Sequence, residues 1–189
     1  MNHEQLKNLQ KLKDTSSELA HDWVNYWKEY SSIDTWQFWL NIAFLIIPLI
    51  VLYFKLDRSK AFHIGFFGYS AHIISTYIDG YSTRFGHWKY PYKIIPLLPI
   101  NMGLDTSLIP VVIMLVYQWT LNKKKNYYIS MLVVASLFAF VFKPILCYFE
   151  LFQLSKGTTY FHLFLWYISG GLLSKWITNV FLHFEKSSK

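Results

Sequence analysis

Five long apolar runs constrain this chain more than any other feature. They are "WQFWLNIAFLIIPLIVLYF" (36–54), "AFHIGFFGYSAHIISTYID" (61–79), "LDTSLIPVVIMLVYQWTL" (104–121), "YYISMLVVASLFAFVFKPILCYF" (127–149) and "YFHLFLWYISGGLLSKWITNVFLHF" (160–184). Each is about as long as the roughly 20 residues that a helix needs to cross a bilayer. Backbone polar groups in lipid must be satisfied within the segment, which selects helices. The pattern predicts an all-α integral membrane bundle of about five transmembrane helices over residues 36–184. Hydrophobic residues make up 53% of the 189 and charged residues 15%, against roughly 45–50% and about 25% in soluble domains. Aromatics reach 20%, and Trp and Tyr gather at membrane interfaces.

Residues 1–35 form a polar leader and 185–189 a polar tail. The leader has no apolar core of the kind a signal peptide carries. "TSSE", Thr15 to Glu18, reads as a capping box. Leu19, Trp23, Val24, Trp27 and Tyr30 recur after it at helical spacing. A helix over 16–31 follows, either lying on the membrane surface or docked on the protein itself.

The net charge of +7 comes mainly from lysines between apolar runs. That placement fits anionic lipid head groups rather than nucleic acid. Membrane lipids are the expected partners; a protein partner or homo-oligomer is left open. "KLDRSK", "NKKKN" and the tail supply Lys55, Arg58, Lys60, Lys123, Lys124, Lys125, Lys186 and Lys189. The other side holds Lys28, Arg84, Lys89, Lys93 and Lys156, a balance of eight to five. The positive-inside rule then puts loops 55–60 and 122–126 and the C-terminus in the cytoplasm of a multi-pass cell-membrane protein. Cys147 stands alone in an apolar run and reads as an inert buried thiol.

The chemistry concentrates in "YIDGYSTRFGHWKYPYKIIPLLPINMGLD", 77–105. Asp79 and Asp105 flank it, and Arg84, His87 and Lys93 lie within. Ionisable groups at membrane depth face a bundle interior and pair with one another. In five sequential spans, Asp79, Asp105, Glu150 and His162 fall near one interface, with residues 80–93 as a lid. His72 shares a helix face with Asp79, seven residues away, as Lys143 does with Glu150. Trp88, Tyr90 and Tyr92 read as an interface belt or a ligand cage. Pro96 and Pro99 make 94–103 a poor helix, so it is re-entrant, interfacial or an extension of the third span.

Three readings follow. In a structural network, Arg84 or Lys93 pairs with Asp79 and Asp105, leaving no cavity. In a site for an apolar lipid or isoprenoid ligand, Asp79, Asp105 or Glu150 is acid or anchor, beneath the lid. The third is a metal site from His72, Asp79, Asp105, Glu150 or His162, for which no close ligand motif exists. No cofactor is expected. Ser169-Gly170-Gly171 reads as a helix-packing patch.

"YSSIDTWQFWL", "YIDGYSTRFGHWKYPYKIIPLLP", "LDTSLIPVVIMLVYQWTL" and "FKPILCYFELF" together resemble an uncharacterised family of small multi-pass membrane proteins from spore-forming Firmicutes, named after a clostridial locus tag. The resemblance covers about 25–185. Its most specific string is Asp79, Gly86, Trp88, Tyr90, Pro91, Pro96, Asp105, Pro110, Tyr117 and Gln118. It implies a multi-pass topology in a Gram-positive membrane and no reaction. The function expected is a structural, lipid- or partner-interacting envelope component, with a small membrane enzyme or binder as the alternative.

Overall fold

Short polar side chains set where most of the helices begin. In the computed structural model, which describes residues 1–155 and 157–187, α1 (His3–Tyr30) is capped by Asn2, whose side chain accepts from Gln5 N at 2.7 Å. Thr35 caps α2 (Trp36–Lys55) through Phe38 N at 3.4 Å. A single 3₁₀ turn, Arg58–Lys60, leads to α3 (Ala61–Arg84). Asn101 caps α4 (Met102–Lys123) through Leu104 N at 3.1 Å. Asn126 caps α5 (Tyr127–Tyr148) through Tyr128 N at 2.8 Å. α6 spans Tyr160–Ser187. Each side-chain oxygen satisfies a backbone N–H that the helix leaves without a partner. The expected start at Thr15–Glu18 is corrected: those residues lie inside α1, whose first turn belongs to Asn2. Lys156 and Lys189 of the charge count lie outside the described residues.

α3 is central, packed on α4 and α6; α2 packs on the start of α4, and α5 on α6 and α4. Phe67 stacks on Tyr117 with centroids 4.0 Å apart, joining α3 to α4. Tyr127 donates its hydroxyl to Gly171 O at 2.8 Å, joining α5 to α6. At one end the α2–α3 turn meets the end of α4: Gln118 accepts from Asp57 N at 2.8 Å and donates to Lys55 O at 2.9 Å. At the other end lies the lid, residues 85–101. Its strand β1 (Trp88–Lys89) pairs antiparallel with β2 (Gln153–Leu154), Trp88 opposite Leu154. Of 94–103, residues 94–101 are irregular and belong to the lid, while Met102 and Gly103 open α4.

The helices turn their apolar side chains outward. Ile46, Ile47, Ile50 and Phe54 of α2 are exposed, as are Ile129, Leu132, Val133 and Val141 of α5 and Leu165, Leu172, Leu173 and Trp176 of α6. So broad an apolar surface is out of place in water. Three helices are long and apolar enough to cross a membrane: α2, α4 and α5. α3 and α6 are long enough at 24 and 28 residues. Their apolar character is diluted by His72, Ser75, Asp79 and Ser82 in α3 and by Ser174, Lys175 and Thr178 in α6. No residue of α1 is buried.

Gly171 and Gly103 are two of the glycines at close approaches between helices. A Cβ on Gly171 would lie 2.6 Å from the flexible Met131 Sδ, in keeping with a packing patch there. A Cβ on Gly103 would lie 2.5 Å from the backbone oxygen of Asn41, which cannot turn aside. Gly103→Ala is therefore expected to destabilise the detergent-solubilised protein by about 1–3 kcal/mol, the usual cost of overpacking. Gly65→Ala, with nothing within 4 Å, should instead be neutral or raise the midpoint, because Ala is about 1 kcal/mol better than Gly inside a helix. Thermal unfolding of both variants checks the contrast.

Candidate functional site

Asp79 is 3% exposed near the end of α3, and the lid closes over it. Its Oδ1 accepts from Trp88 Nε1 at 2.7 Å and from the Tyr90 hydroxyl at 2.8 Å. Trp88 and Tyr90 alternate with Lys89 along an extended segment, so both rings turn to the same side. Asp105, 4% exposed, lies beside Asp79 in a π-helical stretch, Met102–Leu108, that opens α4. The two carboxyl groups share the Asn101 N–H, 3.4 Å from Asp79 Oδ2 and 3.1 Å from Asp105 Oδ2. Asn101 also donates its side chain to Asn41 Oδ1 of α2 at 2.8 Å.

The cation of the cluster is Lys143, 2% exposed. It follows a second π-helical stretch, Phe138–Phe142. Its ammonium donates to the Tyr90 hydroxyl at 3.1 Å and lies 3.9 Å from the Phe152 ring centroid. Tyr90 is thus the bridge: it accepts from Lys143 and donates to Asp79. Burial and the negative charges of Asp79 and Asp105 push the Tyr90 phenol well above its ordinary pKa, fixing it as a neutral donor. One ammonium thus faces two carboxyl groups across the Tyr90 hydroxyl and the Asn101 N–H.

A cavity of about 50 Å³ adjoins the cluster. Asp79, Tyr90, Asp105 and Lys143 line it, with Ile78 of α3, Ile109 and Ile113 of α4, and Leu163 and Gly170 of α6. Trp166, 42% exposed on α6, lines it too, so part of its wall belongs to the outer face of α6. It is several times the roughly 10–15 Å³ that one water needs.

The expected residues divide. Asp79, Asp105, Trp88 and Tyr90 converge, and His72 adjoins them through Nδ1, 3.0 Å from Asp105 O. Trp88 and Tyr90 are buried ligands of Asp79, not a surface belt. The expected salt bridges to Arg84 or Lys93 are absent among the described residues. Arg84 is exposed at the end of α3. Lys93 donates Nζ to Leu98 O at 3.1 Å and sits 4.3 Å from the Trp23 ring centroid; burial pushes its pKa down, and Asp79 acts the other way. His87 is exposed and stacks near Tyr81, with centroids 6.1 Å apart. His162 is exposed and accepts from Thr159 N at 3.1 Å at the start of α6. Glu150 leaves the cluster because it stands in a left-handed turn (φ 58°) just beyond α5. The seven-residue spacing linked Lys143 to Glu150, but the helix stops between them. Among the described residues no three His, Cys, Asp or Glu side chains are grouped to hold a metal ion.

No protein-family model, curated protein or solved structure matches the chain.

Asp79→Asn should loosen the lid, since bonds to a charged acceptor contribute about 1.5–3 kcal/mol each. Hydrogen exchange by mass spectrometry is expected to speed up over residues 85–101 while α2 and α5 keep their protection. Tyr90→Phe is expected to lower the unfolding midpoint, because it leaves buried Lys143 without its hydroxyl partner, a loss of about 1–3 kcal/mol.

Proposed function

We propose that this chain is a five-span membrane protein that binds the polar end of an apolar ligand, a lipid or isoprenoid, beside the Asp79–Asp105 pair. One observation carries the reading: a buried acidic pair and a lysine line a cavity whose remaining walls are largely apolar and include the partly exposed Trp166 of α6. A network serving the fold alone has no need of such a cavity. In this reading the acidic pair is an anchor or proton donor for a hydroxyl or carbonyl, and Lys143 balances the charge. α3 and α6 cross the membrane beside α2, α4 and α5, shielding their polar residues against one another. The setting is a cell membrane, with the basic loops at 55–60 and 122–126 on its cytoplasmic side and α1 as an amphipathic helix at the opposite surface.

A second reading is favoured by the saturation of Asp79, which receives three hydrogen bonds from the lid. There the cluster only holds the lid shut. Native mass spectrometry of gently solubilised protein separates the two. Binding predicts a defined extra mass on the wild type that is lost in Asp105→Asn. A clean apo mass, with Asp105→Asn merely less stable to heat, would leave the purely structural role.

A further inference from the structure

A second, larger cavity lies on the outer side of the lid and shares only Tyr90 with the first. It is a groove of about 480 Å³ between α1, the lid and the turn after α5, within the roughly 300–1,000 Å³ typical of small-ligand sites. α1 is fastened beside it by two contacts. Trp27 Nε1 donates to Lys93 O at 2.8 Å, and Lys93 N donates to Ser31 Oγ at 2.9 Å. These place Trp23, one turn before Trp27, and Tyr26, next to it, along the groove with the lid residue Tyr92. Glu150, turned out of the buried cluster by its left-handed backbone, lines the groove opposite Asp22 of α1, and Lys89 lines it from the lid.

We propose that this groove binds a phosphoammonium headgroup. Aromatic surface from Trp23, Tyr26 and Tyr92, together with the carboxylates of Asp22 and Glu150, suits a substituted ammonium, which rings attract through their electron-rich faces. Lys89 is the cation in the groove's lining that can meet the phosphate. Lys93 Nζ already lies 4.3 Å from the Trp23 ring centroid, so Tyr26 and Tyr92 are the rings that receive the ligand's ammonium. Asp22 and Glu150 face Lys89 in the lining and Lys93 beside Trp23, a balanced set that matches a zwitterion. A bare anion lacks a partner for the carboxylates, and a bare cation lacks one for Lys89. The groove sits at the lid end, where exposed Tyr30, Trp36, Tyr148 and Phe149 also gather, as aromatic residues do at a lipid headgroup layer. This assignment is independent of what the inner cavity holds.

Phosphocholine serves both sources of that chemistry, as a soluble compound and as a lipid headgroup. The full chain in a maltoside detergent is titrated with phosphocholine, tetramethylammonium or inorganic phosphate, following Trp fluorescence. Asp22, Tyr26, Lys89 and Glu150 are exposed, so their variants keep the fold. Saturable phosphocholine binding is expected, weakened about tenfold or more in Glu150→Gln and in Lys89→Ala, as for loss of one charge-assisted contact. Tetramethylammonium binding should respond to Glu150→Gln and Tyr26→Ala but not to Lys89→Ala. The same titration in nanodiscs identifies the source. Loss of binding in phosphatidylcholine discs but not in phosphatidylglycerol discs assigns a lipid headgroup; binding retained in both assigns a soluble compound. No saturable phosphocholine binding in detergent, or binding unchanged in both Glu150→Gln and Lys89→Ala, would overturn the proposal.

Discussion

A single buried carboxylate joins the lid to the helices. Asp79 ends a face of α3 that runs through the middle of the bundle, and its oxygens are met by Trp88, Tyr90 and Asn101. Nearly everything irregular in the chain is arranged around those bonds. The strand pair Trp88–Lys89 with Gln153–Leu154 orients two of the donors. Asn101 supplies the third, while its side chain caps α4 and reaches α2. Thr83, one turn after Asp79, donates to the Pro99 carbonyl and fixes the proline-containing end of the lid. A buried carboxylate without such donors would cost several kcal/mol, so the lid and the acid depend on one another.

The second constraint is polarity turned inside out. Asp79, Asp105, Lys143, Asn41, Asn101, Ser174 and Thr178 are buried, while isoleucines, leucines and phenylalanines face outward. That arrangement is unstable in water and natural in lipid, where hydrocarbon is the solvent and polar groups seek one another. Serine and threonine hydroxyls in α6 are satisfied within the helix: Ser174 donates to Gly170 O at 2.7 Å and Thr178 to Ser174 O at 2.8 Å. The two charged groups that join Asp79 both depend on π-helical stretches, one containing Asp105 and one preceding Lys143. An extra residue in a turn rotates the following side chains relative to a regular α-helix.

Those turns explain what the sequence could and could not disclose. Helical segments were legible as long runs of apolar residues, but the caps Thr35, Asn101 and Asn126 that open three of them were not read from the sequence. That Asp79 and Asp105 meet followed from two adjacent antiparallel segments. Trp88 and Tyr90 were visible as residues, but their burial was not, because a two-residue strand pair leaves no periodic signal. Lys143 was assigned to Glu150 by helical spacing, and spacing fails where a helix unwinds or stops. Arg84 and Lys93 were the obvious partners by charge and proximity. The structure instead employs a tyrosine hydroxyl to carry the interaction from Lys143 to Asp79, a neutral bridge that charge counting overlooks. The start of α1 was misplaced because Thr15–Glu18 mimics a cap inside a longer helix that Asn2 opens.

The lid faces two environments through one residue: Tyr90 lines the inner cavity and the outer groove. Whatever alters its hydroxyl bond to Asp79 is therefore felt on both sides. The bond itself is the most direct object of measurement. A double-mutant cycle with Asp79→Asn and Tyr90→Phe, read by unfolding of the detergent-solubilised protein, isolates their coupling. If the lid is held by this carboxylate, the coupling exceeds about 0.5 kcal/mol, the level reached by residues in one hydrogen-bond network. Additive effects of the two substitutions would contradict the central role of Asp79.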